Sequence, residues 1–497
     1  MQLFILFLAL AVLGHDAWMG QAVDRPVLNG KVIAGLLVAH AVLAVSYAAL
    51  CRHTLNRLNT VYASGALWWI DTASTVYRHA LLLMYVIGLW LGTLGAIRKQ
   101  LGDQVLLDEL LVFAPPLAMI GWSWWSYYPV DHRLRQAPLI RHLDQGQPIG
   151  AIWSRGQYML SQLRHQVALV LVPLVTLMGW AELVHQHVPQ RLTSGGGDVR
   201  PVVMIAGACG IFVFTPVVIR YLWDTVPLPP GDLRDRLMAM CRQYHVRVRE
   251  LLLWRTFGGM INGAVMGLFG PVRYILLTDA LLERLPRDRV EAVMAHELAH
   301  VRQHHMFWLV VAATAAMAAS AVAWALAIQI TAAAGGTSTG IGPAAGFGQT
   351  LANHPDAANL LAAVGALASW ITVFGWVSRR FERQADTFAV QHMHTHRGQR
   401  VVMSPAGDTI DTWSVNVMAT SLQQVADLNH VSVTHRSWRH GSIAWRQAYL
   451  RSLLGTRVDR QPIDQQVLWI KLASAATVVA IATTRWICPT WLDTLVF

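Results

Sequence analysis

The sequence predicts a mainly α-helical, polytopic membrane protein of eight or nine spans, with a small α+β region on one side of the bilayer. Three observations carry this. Of the 497 residues, 54% are hydrophobic and only 13% charged, against roughly 25% charged in ordinary soluble domains. Apolar runs of about 20 residues, enough to cross a bilayer, recur along the chain. Arginine alternates between rich and poor connections, the pattern of a protein oriented by its cytosolic charges. Two or three soluble domains would fill the same length, but not with this composition. Many of the 21 tryptophans fall near the ends of the runs, where amphipathic rings suit the lipid–water interface.

The runs are Leu3–Gly20, Val32–Leu50, Ala80–Ile97, Leu110–Tyr128, Val167–Val184, Val202–Ile219, Phe307–Ile330, Leu360–Val377 and Val467–Ile487. The first could instead be a signal peptide, although "MQLFILFLAL" lacks the positive leader of one. The last is interrupted by Lys471, whose stem can snorkel towards the interface.

The formal charge of +11 is almost all arginine, lysines such as Lys31, Lys99 and Lys471 being rare. The arginines lie between apolar segments, so they read as topology signals facing anionic headgroups rather than as a nucleic-acid surface. Connections around Arg52–Arg57, Arg133–Arg164, Arg234–Arg302 and Arg379–Arg460 are rich in arginine, whereas "AAAGGTSTGIGPAAGFGQTLANHPD" contains no lysine or arginine. The connection with Arg98 and Lys99 is the exception. This places the rich connections and the N-terminus in the cytosol. The expected organisation is a transmembrane region over 1–223, a cytosolic segment over 224–305, a membrane hairpin over 306–377, a second cytosolic segment over 378–466 and a terminal span over 467–497. Cys51, Cys209, Cys241 and Cys488 form no C-x-x-C pair, which gives neither a disulfide framework nor a thiolate metal site.

The chemistry concentrates in "VEAVMAHELAHVRQHH". The surrounding "RDRVEAVMAHELAHVRQHHMFW" has no glycine or proline and reads as a helix running on towards the next span. His296 and His300, four apart, share a face and can bind one metal ion, while Glu297 can hold a water and take its proton. Chance supplies an H-E-x-x-H in roughly a few of every hundred such chains, so a third ligand is needed to decide. In "SRRFERQADTFAVQH", Glu382 and Asp386 are also four apart. One can ligate while the other accepts a hydrogen bond from a ligating histidine. The alternative is an exposed face paired with Arg379, Arg380 and Arg383.

"RYILLTDALLERLPRDRVEAVMAHELAHVRQHH" followed by "FERQADTFA" resembles the M48 family of membrane zinc peptidases, which includes the Ste24-type CAAX prenyl proteases and the HtpX-type quality-control proteases. The resemblance implies a zincin-like catalytic region on the cytosolic side holding one zinc ion. It makes His296, His300 and Glu382 the ligands, Glu297 the general base and Asp386 the support of a ligand. From "SWRHGSIAWRQAYL" it takes His440 as an oxyanion donor and Arg446 as a support for the site or the substrate backbone; the alternative for His440 is an ordinary surface histidine. A positive donor opposite the metal is in any case what a tetrahedral oxyanion requires. These elements cover roughly Arg242 to Arg451.

Upstream, "VRVRELLLW" and "RYILLT" read as strands, with "NGAVMG" between glycine-rich turns. Such peptidases commonly bind substrate as an added strand, and Asn262–Gly267, with Asn262, Gly263 and Ala264 at its start, is assigned to that edge. A loop packed beneath the helix is the competing reading. His304 and His305 are surplus to a site that Glu382 completes. "VQHMHTHRGQR", with His392, His394 and His396, reads as a solvated loop, and His40 as a residue pairing across helices. The expected activity is membrane-associated zinc endoproteolysis of lipidated, membrane-bound or misfolded proteins, with no nucleic acid involved. The arginine-for-lysine bias suggests a GC-rich bacterial genome, so the expected location is the bacterial inner membrane. There, general proteolysis is favoured over CAAX processing. An M56-like sensor protease lacks an external domain here, and a structural zinc scaffold has no use for Glu297.

Overall fold

In the computed structural model the described residues are 30–59, 66–93, 106–144, 154–190, 198–256, 260–335, 355–400, 409–429 and 431–487, with isolated positions 4, 5, 7, 8, 97 and 100. The chain separates into two compact units, Met1–Asp224 and Thr225–Phe497.

The first unit is helical: α1 (Gly30–Leu58), α2 (Ala66–Trp90), α3 (Leu107–Asp144), α4 (Arg155–Gln162), α5 (Leu169–His187) and α6 (Arg200–Leu222). A π-helical stretch over Leu163–Ala168 joins α4 to α5 without a break. Tyr47, Tyr77, Phe113, Trp124 and Tyr158 lie in its core. In lipid a polar group must find its partner within the protein. Tyr47 accordingly meets Ser74 Oγ at 2.8 Å, and the Tyr77 hydroxyl donates to the Met119 carbonyl at 2.8 Å. His40 bonds back to its own helix, Nδ1 lying 2.7 Å from the Leu36 carbonyl. An intrahelical carbonyl one turn away satisfies a histidine.

The second unit opens with β1 (Thr225–Pro227), α7 (Asp232–Gln243), β2 (Glu250–Trp254), β3 (Gly263–Met266) and β4 (Tyr274–Thr278). The sheet order is β1-β2-β4-β3, with β2 parallel to β4 and the other pairs antiparallel. Every residue of β4 is buried, which explains its unbroken apolar run at the sheet centre. Then come α8 (Asp279–Arg284), capped by Thr278, and α9 (Arg287–Arg302). Two long helices, α10 (His305–Gly335) and α11 (Pro355–Arg400), are followed by α12 (Thr412–Leu428), α13 (Ile443–Ser452) and α14 (Pro462–Ile487). Leu251, Ile275, Leu277, Met294, Leu298, Met418 and Leu450 share one core, so sheet, α9, α12 and α13 form one body.

Among the described residues, six helices are long and apolar enough to cross a membrane: Gly30–Leu58, Arg155–His187, Arg200–Leu222, His305–Ala327, Leu361–His396 and Pro462–Thr484. The protein is a polytopic helical membrane protein with a small sheet. The expected run Leu3–Gly20 falls almost wholly outside the described residues, as do Arg98, Lys99, Cys488 and most of the arginine-free loop. The runs Ala80–Ile97 and Leu110–Tyr128 fall largely in α2 and α3, which also carry the charged residues Asp71 and Arg78, and Asp131 and Arg133.

Two local expectations are corrected. The segment with His392, His394 and His396 is not a solvated loop but the last turns of α11, with His392 and His394 buried. Tyr244 contacts His392 Nδ1 at 2.7 Å, Glu291 lies 3.2 Å from its Nε2, and Asp411 lies 3.3 Å from His394 Nδ1. Partners distant in sequence make a polar stretch buriable. Nor does α9 run on into α10. It stops at Arg302, and His304 takes a left-handed conformation at φ 54°.

Candidate metal centre

Helix α9 owes its placement to its small residues. Ala295 and Ala299, with Ala385 and Ala389 of α11, are fully buried, and small side chains let two helix axes approach closely. Each helix then presents a pair of polar residues one turn apart, His296 and His300 from α9, Glu382 and Asp386 from α11. The chain's spacing of four becomes a single cluster.

His296 Nε2 and His300 Nε2 are 3.2 Å apart, and they lie 3.6 and 3.8 Å from the two Glu382 carboxylate oxygens. One ligand atom from each of the three residues can be chosen so that all lie within 4.8 Å of one another. Two imidazole nitrogens and one carboxylate oxygen, convergent, with His296 and Glu382 buried and His300 partly so, suit a divalent cation and leave a fourth tetrahedral position open. His296 turns its other nitrogen to Asp386, with Nδ1 3.0 Å from Oδ1, which leaves Nε2 for the ion.

Arg446 enters from α13 and balances the carboxylates. It donates to Asp386 from Nε at 2.8 Å and from Nη2 at 2.5 Å, and its Nη1 lies 3.0 Å from Glu382 Oε2. Burial works against its charge, but the Asp386 and Glu382 carboxylates outweigh it, so its pKa is raised. His440 stands at the open side, half exposed, with Nδ1 2.8 Å from Glu382 Oε1. It is therefore within the cluster and not a detached surface histidine.

Charge is unevenly distributed among the α9 residues. Burial opposes protonation of His296, but contact with Asp386 and Glu382 prevails and raises it to about 9. Burial, reinforced by His296, pushes His300 down to about 3. Burial raises Glu297 to about 7, within the range in which a carboxylate can both take and return a proton.

The edge strand passes over the same helix. β3 ends the sheet order; Gly263 and Ala264 pair with Leu277 and Leu276. Asn262 immediately precedes the strand, its N–H donating to Thr278 Oγ1 at 3.0 Å while its carbonyl accepts from the Thr278 N–H. A Cβ at Gly263 would stand 3.2 Å from Val293 Cγ1 and 3.5 Å from Glu297 Cγ, so the strand runs directly above Glu297.

Sequence reasoning set His305 aside, yet it touches the cluster, with Nδ1 2.9 Å from His300 Nδ1. It also passed over Trp438, which docks the His440 loop on α11 through a hydrogen bond from Nε1 to the Ile371 carbonyl at 3.1 Å. A tryptophan two residues from a candidate histidine was the only signal.

Comparison with known proteins bears on this geometry. Residues 259–432 match the model described as Peptidase family M48. The match contains His296, Glu297, His300, Glu382 and Asp386 and ends before His440 and Arg446. No curated protein matches the chain. The crystal structure of S. mikatae Ste24p aligns with 86% of this chain and 100% of its own, at 12% sequence identity and a TM-score of 0.45. Residues 259–432, which hold the whole His, His and Glu cluster, match peptidase family M48, and with the apolar spans this supports an M48 family membrane metallopeptidase.

Proposed function

We propose that the protein is an integral-membrane zinc endopeptidase that hydrolyses peptide bonds of membrane-associated or misfolded proteins at the cytosolic face of a bacterial inner membrane. The observation that carries this is the convergence of His296, His300 and Glu382 with Glu297, partly buried and raised to about 7, on the same helix turn. The residues that would hold the ion are those three. Zinc, when bound there, supplies Lewis-acid polarisation of the scissile carbonyl and acidification of the attacking water.

The chain's own residues do the rest. A substrate strand adds to the free edge of β3 and gains backbone hydrogen bonds, which carry affinity with little sequence demand. Glu297 takes the proton of the attacking water and passes it to the leaving amine nitrogen. His440, on the open side, donates to the oxygen that becomes negative as the carbon turns tetrahedral. Arg446 and Asp386 hold Glu382 and His296 in place. The cytosolic orientation is supported by the arginine-rich connections around Arg234–Arg302 and Arg379–Arg460. The arginine-for-lysine bias favours a bacterial membrane and general proteolysis over the processing of prenylated proteins.

The test is cleavage of an unstructured protein by the full chain, purified in detergent and loaded with zinc, beside Glu297→Gln. Parent activity abolished by a chelator, with a loss of at least about 10²-fold in the variant, supports the reading. Equal activity in both would remove Glu297 as base, and silence in both with zinc bound would point to a non-catalytic scaffold.

A further inference from the structure

We infer that His305 is a positioning residue for the metal ligand His300, and that a hydrogen-bonded chain through His305 and Gln384 ties that ligand to Asp464 on α14. The inference rests on the zinc reading of the site and extends it to residues outside the ligand set.

The geometry begins with a break in the helix. On an uninterrupted helix a residue five places on lies about 140° round the axis, so His305 would point away from His300. The left-handed turn at His304 redirects the chain, and the two Nδ1 atoms come within 2.9 Å. The turn is itself held from α14, since the Lys471 ammonium donates to the Gln303 carbonyl at 2.9 Å.

The chain fixes every proton along it. An imidazole that ligates through Nε2 carries its hydrogen on Nδ1, so His300 Nδ1 donates to His305 Nδ1. His305 must then carry its own hydrogen on Nε2, which lies 2.8 Å from Gln384 Oε1. With its oxygen committed, the Gln384 amide nitrogen donates to Asp464 Oδ1 at 2.6 Å. No other assignment satisfies all three contacts. The ring of His305 is buried and stacked on Phe381, centroids 4.3 Å apart and planes 8° from parallel, so it does not turn away. Phe381 precedes the ligand Glu382, and the same stack therefore registers both ligands. Gln384 and Asp464 line a cavity of about 280 Å³ shared with Tyr244, Arg302 and Gln303, where the chain ends.

A partner of this kind fixes ring orientation, and its loss typically costs 10–100-fold in metal affinity. The experiment measures zinc affinity of the full chain in detergent by competition with a chromophoric chelator, together with the visible spectrum of the cobalt-loaded protein. Expected are affinity about 10-fold or more weaker and an altered cobalt spectrum in His305→Leu, with recovery in His305→Gln, whose amide oxygen can take the His300 proton. Gln384→Leu leaves His305 present but unanchored and shifts both readouts in the same direction. Parental affinity and spectrum in both leucine variants would overturn the inference while leaving the zinc site intact, even if their melting temperatures fell. Should His305→Leu not fold, Gln384→Leu decides in the same way. A parent that binds no zinc overturns the zinc reading, and this inference with it.

Discussion

Arg446 grips Asp386 with two parallel contacts, Nε to Oδ2 at 2.8 Å and Nη2 to Oδ1 at 2.5 Å, in a site from which both side chains are almost excluded from solvent. Removing one member of such a buried pair leaves the other charge uncompensated and costs about 3–5 kcal/mol. Arg446→Met should therefore lower the melting temperature sharply, because two buried carboxylates lose their counterion, and lower zinc content, because Glu382 and Asp386 lose the donors that hold them in place. Arg446→Lys should not rescue it, since an ammonium cannot reproduce the planar fork. Parental stability and zinc content in the lysine variant would show that the fork geometry is immaterial.

Glu297 predicts two pH effects. Its folded pKa, about 7, stands above its ordinary 4.5. Between those values the folded protein retains a proton that the unfolded chain has released, so this group turns against folding as pH rises through the window. In metal-free protein above about pH 7, Glu297→Gln should then be more stable than the parent, by up to about 3 kcal/mol. Activity responds in the opposite sense, because the base must be ionised: kcat/KM should fall on the acid side, at or below about pH 7 once a divalent cation steadies the carboxylate. A flat profile from about pH 5 to about pH 8 would count against Glu297 as the base.

What could be read from the sequence follows from how local each signal is. The spacing of four in His296 and His300, and again in Glu382 and Asp386, is itself the helical repeat, so it survives into the fold unchanged. The β4 run was legible because a central strand is apolar on both faces, but the parallel pairing of β2 with β4 depends on a crossover that no short window contains. His305 was lost because its position depends on a left-handed residue at His304, where no glycine marks the break. His392 looked exposed because its partners, Tyr244 and Glu291, lie 148 and 101 residues away.

Gly263 tests the edge strand. A methyl group there meets Val293 at 3.2 Å and the Glu297 stem at 3.5 Å, so small additions are felt and larger ones displace Glu297. Gly263→Val should reduce kcat/KM by about 10-fold or more with zinc content unchanged. A peptide substrate N-methylated at strand-forming positions should bind the parent poorly for a separate reason, lost backbone hydrogen bonds. Undiminished cleavage of the methylated peptide would exclude strand addition.

The position of His440 depends on a contact inside the apolar part of α11. Trp438 lies across Gly375 so closely that a Cβ at Gly375 would fall within van der Waals contact of the indole nitrogen. The same ring stacks on Phe374 with centroids 5.1 Å apart, and the Arg379 guanidinium holds the Trp438 carbonyl at 2.8 Å. The loop beyond is closed by the Gly441 N–H bonding the Ser437 carbonyl at 2.9 Å, so His440 moves as Trp438 moves. Gly375→Leu expels the indole and should cut kcat/KM by about 10–100-fold while zinc stays bound, since His296, His300 and Glu382 lie outside the loop. Trp438→Ala should cost a similar amount, and the double variant little more than either, since both sever one anchor. Additive losses in that cycle would mean that Gly375 and Trp438 act separately, and that the docking of the ring on the helix does not place His440.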